Sequence, residues 1–298
     1  MPQEITVNNA SDKAYKKKSQ IAEVWTRYKK NKLAVIGMAL LGSLIIMSIC
    51  ADIICDYNTQ VIEQNYKERL QKPSIDHIFG TDAYGRDVFF RIVHGARLSL
   101  SIGTIVIFAS LIIGLILGSI AGYFGGLIDN VIMRIVDVFM ATPPLILAIA
   151  VVAVLGPTFM NLVIALIVGY FPFFARVVRA PLLQIRDREF IEAARAAGTS
   201  NFRIITKHIL PNITGPITVQ VSLNIADAIK NAAGLSFIGL GIQPPAPEWG
   251  TMLSEGQEFI RSYPHLVTFP GVFIAITLLA LNLIGDGLQD ALDPKLKN

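Results

Sequence analysis

The sequence predicts an all-α, polytopic membrane protein with six transmembrane helices, and three observations support that fold class. Of the 298 residues, 53% are hydrophobic and only 16% are charged, whereas about 25% of the residues of an ordinary soluble domain carry a charge. The mean hydropathy of the chain is +0.54. Six separate stretches also reach the length of roughly 20 mostly apolar residues that crosses a bilayer as a helix.

The six predicted spans follow one another along the chain. They cover residues 33–54, 98–123, 128–155, 160–178, 216–240 and 269–288. The first span is expected to be retained in the mature protein, because its apolar run is too long for a cleavable signal peptide. The Pro143-Pro144 pair is expected to kink the third span, and Asn224, Asp227 and Lys230 interrupt the fifth.

Basic residues orient these spans. With the N-terminus inside, the two terminal tails and residues 176–207 hold 17 Lys and Arg residues, whereas the outer connections hold 7. Because basic residues accumulate on the cytoplasmic side of membrane proteins, both termini are expected to be cytoplasmic. The chain then divides into three parts. Residues 1–32 form a cytoplasmic tail, with an interfacial helix near residues 21–28. Residues 33–97 form the first span and an external segment, and residues 98–298 form a core of five spans.

The external segment ends in an amphipathic stretch at residues 82–97. One helical face would carry Val88, Ile92 and Val93, while Arg86 and Arg91 lie on another. This pattern suits a helix that lies along the outer membrane interface. It suits equally a connector that packs on the helix bundle, so both interpretations are open.

A polar segment, residues 188–211, separates the fourth and fifth spans. Residues 188–197 are rich in Glu, Ala and Arg, which favour a helix, and Gly198 is expected to end that helix in a left-handed cap. Thr199 and Ser200 are expected to cap a second helix, and Pro211 would end it or open the next element. The apolar face of this second helix would consist of Phe202, Ile205 and Ile209.

A structured polar segment between spans favours a docking element for a cytoplasmic partner. The short side chains of the first helix would let it sit deep in a groove, and Glu192 could pair with a basic residue of the partner. A plain loop packed on its own bundle is the alternative. Spans on both sides disfavour a DNA-binding helix-turn-helix, and a net charge of only +4 argues against a nucleic-acid partner.

The polar segment resembles the EAA loop of binding-protein-dependent ABC importer permeases. The matching residues are Glu192, Ala193 and Ala194, then Gly198, and finally Leu210 and Pro211. The resemblance implies that these residues belong to a coupling helix that docks on an ATPase subunit. His208 departs from the apolar residue that is usual before Leu-Pro, so the resemblance does not imply burial at that position.

Further motifs extend the resemblance across nearly the whole chain, to the C-type permease subunit of dipeptide, oligopeptide and nickel importers. It implies the type I permease fold with its cytoplasmic coupling helix, and import of peptides. Permeases of the same group that carry nickel or oligosaccharides supply the alternative substrates. The motifs lie at residues 79–87, 95–99, 133–137, 143–144, 174–179, 239–250 and 282–294.

The same resemblance implies the location and the partners. The chain would lie in the bacterial plasma membrane in contact with lipid, and a second homologous permease subunit would complete the translocation path. Two ATP-binding subunits would bind ATP and Mg, so the chain itself would need no cofactor. An extracytoplasmic binding protein would deliver the substrate.

Charged side chains within the spans are candidates for a polar path. Asp227 and Lys230 in the fifth span are three residues apart, as are Arg134 and Asp137 in the third, and this spacing lets each pair neutralise itself on one helix face. Ionisable groups are costly in a bilayer and should face protein or water. Asp227, Lys230 and the nearby Asn224 are therefore candidates for lining a translocation path, with structural bridges as the alternative for both pairs.

Motifs for catalysis, phosphate binding and metal binding are absent from the sequence. It contains no G-x-x-x-x-G-K-[ST] loop and no nucleophile–base constellation. Cys50, Cys55 and four scattered histidines form no metal-ligand set. We therefore expect no catalytic residue and no metal site, and we expect that the chain is not an enzyme. An ion-driven secondary transporter with Asp227 and Lys230 as the relay, and an intramembrane enzyme, are the competing functions.

Overall fold

The computed structural model describes residues 20–292, with side chains from residue 24 onwards. The predicted tail before residue 20 and the end of the 282–294 motif lie outside the described residues. Within them the chain forms twelve α-helices and no β-strand. The helices are α1 (Gln20–Tyr28), α2 (Lys32–Ile49), α3 (Ala51–Ile54), α4 (Val88–Phe124), α5 (Gly126–Met140), α6 (Pro144–Leu155), α7 (Phe159–Ile185), α8 (Glu189–Ala196), α9 (Asn201–Arg203), α10 (Leu210–Phe237), α11 (Trp249–Gly256) and α12 (His265–Leu292).

Polar caps fix where three of the long helices begin. Asn31 precedes α2, Asp87 precedes α4 and Thr158 precedes α7, and each side chain accepts a hydrogen bond from a backbone N–H of the first turn. Such caps satisfy donors that have no partner inside the helix. The short polar residue in front of each apolar run therefore sets the start of the helix.

Four helices of the described chain, α2, α4, α7 and α12, are long and apolar enough to cross a membrane. The bent pair of α5 and α6 makes a fifth span if it is counted as one. Helix α10 has 28 residues but is less apolar, because polar side chains such as Asp227 and Lys230 interrupt it. The predicted count of six thus requires α10 to cross the membrane as a partly polar helix.

The predicted kink in the third span is confirmed, and it is a full break. Helix α5 ends at Met140, α6 begins at Pro144, and the two axes differ by 82°. Pro143 holds an extended backbone at the N-cap position, and Pro144 lies in the first turn of α6. A proline there costs no hydrogen bond, because the first N–H groups of a helix have no partner within it.

The predicted pairing of Arg134 with Asp137 is wrong. Asp137 pairs with Arg176 of α7 at 2.5 Å, and Asp129 accepts two hydrogen bonds from Arg179 at 2.6 and 2.5 Å. Both acids of α5 therefore pair with α7, because the packing of the two helices brings these arginines opposite the carboxylates. Arg134 makes no ion pair with any residue that the structure describes.

Glycines allow α4 and α7 to pack at close range. A Cβ added at Gly114 would lie 2.5 Å from the Cβ of Phe174, and one added at Gly118 would lie 2.5 Å from the carbonyl oxygen of Ala175. Gly125, by contrast, ends α4 with φ +65°.

Of the two interpretations of residues 82–97, the structure supports the connector that packs on the bundle and not the interfacial helix. Residues from Val88 onward are the first turns of α4, which continues for 37 residues. Arg86 and Arg91 are 2% and 1% exposed rather than solvated. Both pair with Glu255, at 2.9 and 2.8 Å, and Arg86 also pairs with Asp82 at 2.6 Å. These carboxylates compensate the burial of the charges, so the stretch packs on the bundle.

The chain after α10 returns over the N-terminal end of α4. Glu248 caps α11 through the backbone N–H groups of Gly250 and Thr251, both at 2.9 Å. The indole N–H of the buried Trp249 donates to the carbonyl oxygen of Ile92 at 3.0 Å. The N-terminal end of α4 is thereby fixed to α11 by hydrogen bonds and by the ion pairs of Glu255.

The helix predicted near residues 21–28 is present as α1. It packs on α12, and its Tyr28 is buried and donates from its hydroxyl to the carbonyl oxygen of Ala34 at 3.1 Å. Asn31 donates to Asp290 of α12 at 3.1 Å. The N-terminal helix is therefore fixed at the end of the bundle where α2 begins and α12 ends.

Candidate functional site

The first helix predicted in the polar segment is present as α8, and one side chain attaches it to the bundle. Ile191 is fully buried, at 0% exposure, and lies in a cluster with Val178 and Leu182 of α7. Ala194 is half-buried, and the other residues of α8 are exposed. Because one face is held and the remainder is free, α8 can present that remainder to another protein.

The predicted end of this helix at Gly198 is confirmed. Gly198 has φ +74°, and its N–H donates to the carbonyl oxygen of Arg195 at 2.9 Å. The next N–H, of Thr199, donates to the carbonyl oxygen of Ala194 at 3.1 Å. This pair of bonds is a Schellman motif, which needs a left-handed residue at that position. The turn fixes the direction in which the chain leaves α8.

The second helix differs from its prediction. Only α9 forms as a short α-helical piece, residues 204–209 follow as a π-helical turn, and α10 starts directly at Leu210. Ser200 lies at the N-cap, but neither it nor Thr199 makes a side-chain capping bond. Pro211 opens α10 rather than ending the preceding helix. The extra residue of the π-turn rotates the apolar positions, which explains the next difference.

Of the residues predicted for the apolar face of this second part, only Ile209 is fully buried. Ile204 and Ile209 are fully buried, whereas Phe202 is 77% exposed and Ile205 is half-buried. His208 is half-buried, consistent with its departure from an apolar residue. Two exposed phenylalanines, Phe202 and Phe190 (45% exposed), therefore accompany α8. Exposed large apolar groups together with a free helix face are typical of an interaction surface.

The six residues matched to the EAA pattern are distributed over one continuous piece of chain. Glu192, Ala193 and Gly198 are exposed, while Ala194 and Leu210 are half-buried, and Pro211 is exposed. Glu192, Ala193, Ala194 and Gly198 belong to α8 and its turn, which together form the exposed surface. Leu210 and Pro211 instead mark the passage into α10, so a displacement of α8 would act on that helix through a short connection.

The predicted pair Asp227–Lys230 is present on α10 and belongs to a larger polar cluster. One carboxylate oxygen of Asp227 accepts from Lys230. The other accepts from the hydroxyl of Tyr170 at 2.6 Å and from Asn231 at 3.2 Å. Asn224 does not join the cluster, since its amide donates to the carbonyl oxygen of Gln220 at 2.7 Å.

This cluster is open on one side. The side chains of Asp227 and Lys230 are 42% and 60% exposed, whereas Tyr170 is buried at 3%. The sequence reasoning missed Tyr170 and Asn231. Asn231 lies four positions after Asp227, which was a usable signal, whereas Tyr170 comes from α7 and only the packing of α7 on α10 reveals it. The arrangement can present a carboxylate and an ammonium side by side to a polar ligand.

A metal-binding arrangement is not found in the described part of the chain: no group of three or more His, Cys, Asp and Glu residues is placed to hold an ion. Cys50 and Cys55 are both free. Cys55 is buried, and burial together with Asp87 and other nearby carboxylates raises its pKa to about 11. A thiol with this pKa stays protonated near neutral pH and is a poor ligand and nucleophile.

Two family models match the chain. The family described as "Binding-protein-dependent transport system inner membrane component" matches residues 114–298, and the "N-terminal TM domain of oligopeptide transport permease C" matches residues 19–73. The first match covers more than half of the chain and contains the whole of the polar segment. The second covers α1 to α3 and the beginning of the external segment.

Individual relatives match over almost the full length. The chain is 49% identical over 276 residues to the dipeptide transport system permease protein DppC of Alkalihalophilus pseudofirmus, covering 93% of this chain and 90% of that protein. It is 40% identical over 295 residues to the di/tripeptide transport system permease protein DppC of Pseudomonas aeruginosa, covering 97% of each. It is 44% identical over 275 residues to the glutathione transport system permease protein GsiD of Escherichia coli, covering 92% and 90%.

Solved structures share the fold. A chain of the MetNI methionine ABC transporter in an inward-facing conformation superposes with a TM-score of 0.57 at 21% identity, covering 69% of this chain and 98% of that one. A chain of an amino acid ABC transporter gives a TM-score of 0.51 at 18% identity, covering 66% and 91%. The relatives with high identity are transport permeases and not enzymes. The chain belongs to the family of binding-protein-dependent transport system inner membrane components.

Proposed function

We propose that the chain is a permease subunit of an ATP-driven importer of dipeptides or oligopeptides. The observation that carries this proposal is α8, a helix whose one fully buried side chain is Ile191, which is closed by a glycine turn and exposed on the face that bears the Glu-Ala-Ala pattern. The relatives are transport permeases for dipeptides, for di- and tripeptides and for glutathione, which supports peptides as the cargo.

Coupling to ATP would pass through α8. Its exposed face would dock on an ATP-binding subunit, with Glu192 at the contact and with Ala193 and Ala194 allowing close approach. Two such subunits would hold ATP and Mg and would move α8 when they close on the nucleotide. The buried Ile191 would transmit this movement to α7, while Leu210 and Pro211 would transmit it to α10.

The translocation path would lie between this chain and a second, homologous permease subunit. In this arrangement α10 crosses the membrane as the sixth span, and both termini lie in the cytoplasm. Asn224, Asp227 and Lys230 would line the path, because the side chains of Asp227 and Lys230 are open on one side of α10 and ionisable groups in a membrane should face protein or water. An extracytoplasmic binding protein would deliver the peptide to the outer surface, and the complex would reside in the plasma membrane among its lipids.

Replacement of Glu192 tests this function against a matched residue. Glu189 lies one turn earlier on α8, and both side chains are exposed. In proteoliposomes containing the complete transporter, Glu192→Ala should weaken binding of the ATP-binding subunit by at least about tenfold, since it removes a charge that is buried on docking. Uptake of alanyl-alanine should fall with it, and Glu189→Ala should change both less. Equal effects of the two variants, or no effect of either, would contradict the proposal.

A further inference from the structure

The last turn of α4 contacts both halves of the coupling loop, defined here as residues 188–203. Tyr123 is the penultimate residue of α4 and is 7% exposed. Its hydroxyl donates to the side-chain oxygen of Asn201 at 2.8 Å and accepts from the guanidinium of Arg195 at 3.4 Å. One side chain of a long helix therefore reaches α8 and α9 at once, on either side of Gly198.

The ring of Tyr123 adds a second contact with Arg195. The guanidinium carbon lies 5.1 Å from the ring centroid, a distance at which a cation is attracted to an aromatic face. The ring also belongs to the cluster that buries Ile191, Ile204 and Ile209. The packing of Tyr123 thus anchors the loop, and its hydroxyl sets the orientation of α8 relative to α9.

The neighbouring residue extends this connection to α7. Arg186, the C-cap of α7, donates to the carbonyl oxygen of Gly122 at 3.1 Å. The end of α4 therefore bonds to the residue from which the coupling loop departs as well as to the loop itself. Three parts of the chain, namely the end of α7, α8 and α9, meet at residues 122 and 123.

Helix α4 also connects this meeting point with the outer surface. Its 37 residues span about 55 Å at the rise of an α-helix. At its outer end Arg91 pairs with Glu255, and the carbonyl oxygen of Ile92 accepts from Trp249. A rigid helix that is fixed at both ends transmits a displacement from one end to the other.

We propose that Tyr123 is a positioning residue that ties the orientation of the coupling loop to the position of α4. The proposal rests on the proposed function of the loop. In it, a movement of α8 imposed by the ATP-binding subunit reaches α4 through Arg195 and Asn201, and a movement of the outer surface returns along the same helix. The hydroxyl of Tyr123 is the part of the side chain that sets the orientation of α8 relative to α9, through its bonds to Arg195 and Asn201.

Removal of that hydroxyl tests the proposal in the complete transporter. Tyr123→Phe keeps the ring and its packing and removes the bonds to Asn201 and Arg195. Amide hydrogen exchange in residues 188–203 should become about fivefold faster, as expected for the loss of one net hydrogen bond. The ATP hydrolysed per alanyl-alanine imported should rise by a similar factor. Tyr28→Phe, which removes a hydroxyl bonded to the carbonyl oxygen of Ala34, should change neither quantity.

Variants of Asn201 test the same hydrogen bond from the side of the acceptor. Asn201→Asp keeps the acceptor and should behave as the unmodified protein, whereas Asn201→Leu should reproduce the part of the Tyr123→Phe effect that comes from the bond between these two residues. Because both single variants break that bond, the double variant should be no worse than Tyr123→Phe alone. Additive effects in the double variant would overturn the proposal.

Two further outcomes distinguish the proposed role of Tyr123 from the proposed function of the loop. If the ratio of ATP to peptide responds to Gly198→Ala but not to Tyr123→Phe, the role of Tyr123 is overturned and the coupling role of the loop stands. If the ratio responds to neither variant, the proposed function of the loop fails. In that case the exchange measurement still shows whether the hydroxyl holds the loop.

Discussion

Replacing Gly198 by alanine should uncouple ATP hydrolysis from transport. The residue has φ +74°, where a side chain costs about 1–2 kcal/mol because its Cβ approaches the following carbonyl oxygen. No other atom lies within 4 Å of the added Cβ, so the backbone conformation is the whole source of the cost. A change of this size alters the population of the closed Schellman turn by a factor of about 5 to 30.

Two control variants isolate the backbone effect. Asparagine tolerates the left-handed conformation better than alanine, so Gly198→Asn should lose less coupling than Gly198→Ala. Gly42 of α2 also has no atom within 4 Å of an added Cβ, but its φ is not positive. Gly42→Ala is therefore the same chemical change without the strain, and it should leave coupling unaltered.

The assay measures ATP hydrolysed per alanyl-alanine imported by the complete transporter in proteoliposomes, together with amide exchange in residues 188–203. We expect the ratio and the exchange rate to rise in the order Gly42→Ala, Gly198→Asn, Gly198→Ala. The amount of protein in the membrane should stay constant, since the turn lies outside the packed core. A Gly198→Ala transporter with an unchanged ratio would refute the reasoning from backbone conformation to coupling.

Three further predictions concern the rest of the fold. Gly118→Val places a Cβ 2.5 Å from a carbonyl oxygen of α7, so it should cost roughly 1–3 kcal/mol and lower the thermal unfolding temperature in detergent; an unchanged temperature would contradict the close packing. Arg91→Met leaves buried carboxylates short of a partner and should lower the free energy of unfolding by about 3–5 kcal/mol. Arg97→Met, at a side chain that is 37% exposed, should lower it by about 1 kcal/mol or less. Similar losses in the two variants would contradict the burial argument. The carboxyl of Asp56 has a lowered pKa because the backbone N–H and hydroxyl of Thr59 donate to it. Its contribution to local order is therefore present above the usual pKa of the group and is lost as the pH falls through the lowered pKa. Amide exchange in residues 56–62, corrected for its intrinsic pH dependence, should rise below about pH 4, and a rise that persists in Asp56→Asn would refute this origin.

Features that depend on a few neighbouring residues could be predicted from the sequence. The glycine end of α8 and the break at Pro143-Pro144 follow from local backbone preferences. A glycine after a helix-forming run and a proline pair within an apolar run restrict the chain wherever they occur. The polar segment was found for the same reason, since its pattern lies within 24 consecutive residues.

Features that depend on distant partners could not be predicted in this way. The sequence left the packing of Arg86 and Arg91 open between the membrane interface and the bundle, because their partner, Glu255, lies 169 and 164 positions away. Arg134 and Asp137 suggested a pair through their spacing, but α7 supplies Arg176 instead. In each case helix packing determines which opposite charge is nearest, and one helix considered alone does not contain that information.

The second half of the polar segment, residues 188–211, contains features of both classes. A regular helix from residue 200 would place Phe202 and Ile209 on one face, as predicted. The π-helical turn at 204–209 adds a residue to the turn, so Ile204 and Ile209 are buried and Phe202 is exposed. This turn is stabilised by packing against α4 and α7, and no residue type in the sequence specifies it.

Site-specific photocrosslinking tests the central claim most directly, because it records what α8 touches. A benzoylphenylalanine residue would replace the exposed Ala193 in the complete transporter, and a second variant would carry it at Ile75, which is 98% exposed in the external segment. We predict a crosslink from position 193 to the ATP-binding subunit and none from position 75 to that subunit. Absence of the crosslink from position 193, or its appearance from both positions, would contradict the assignment of α8 as the contact with the ATPase.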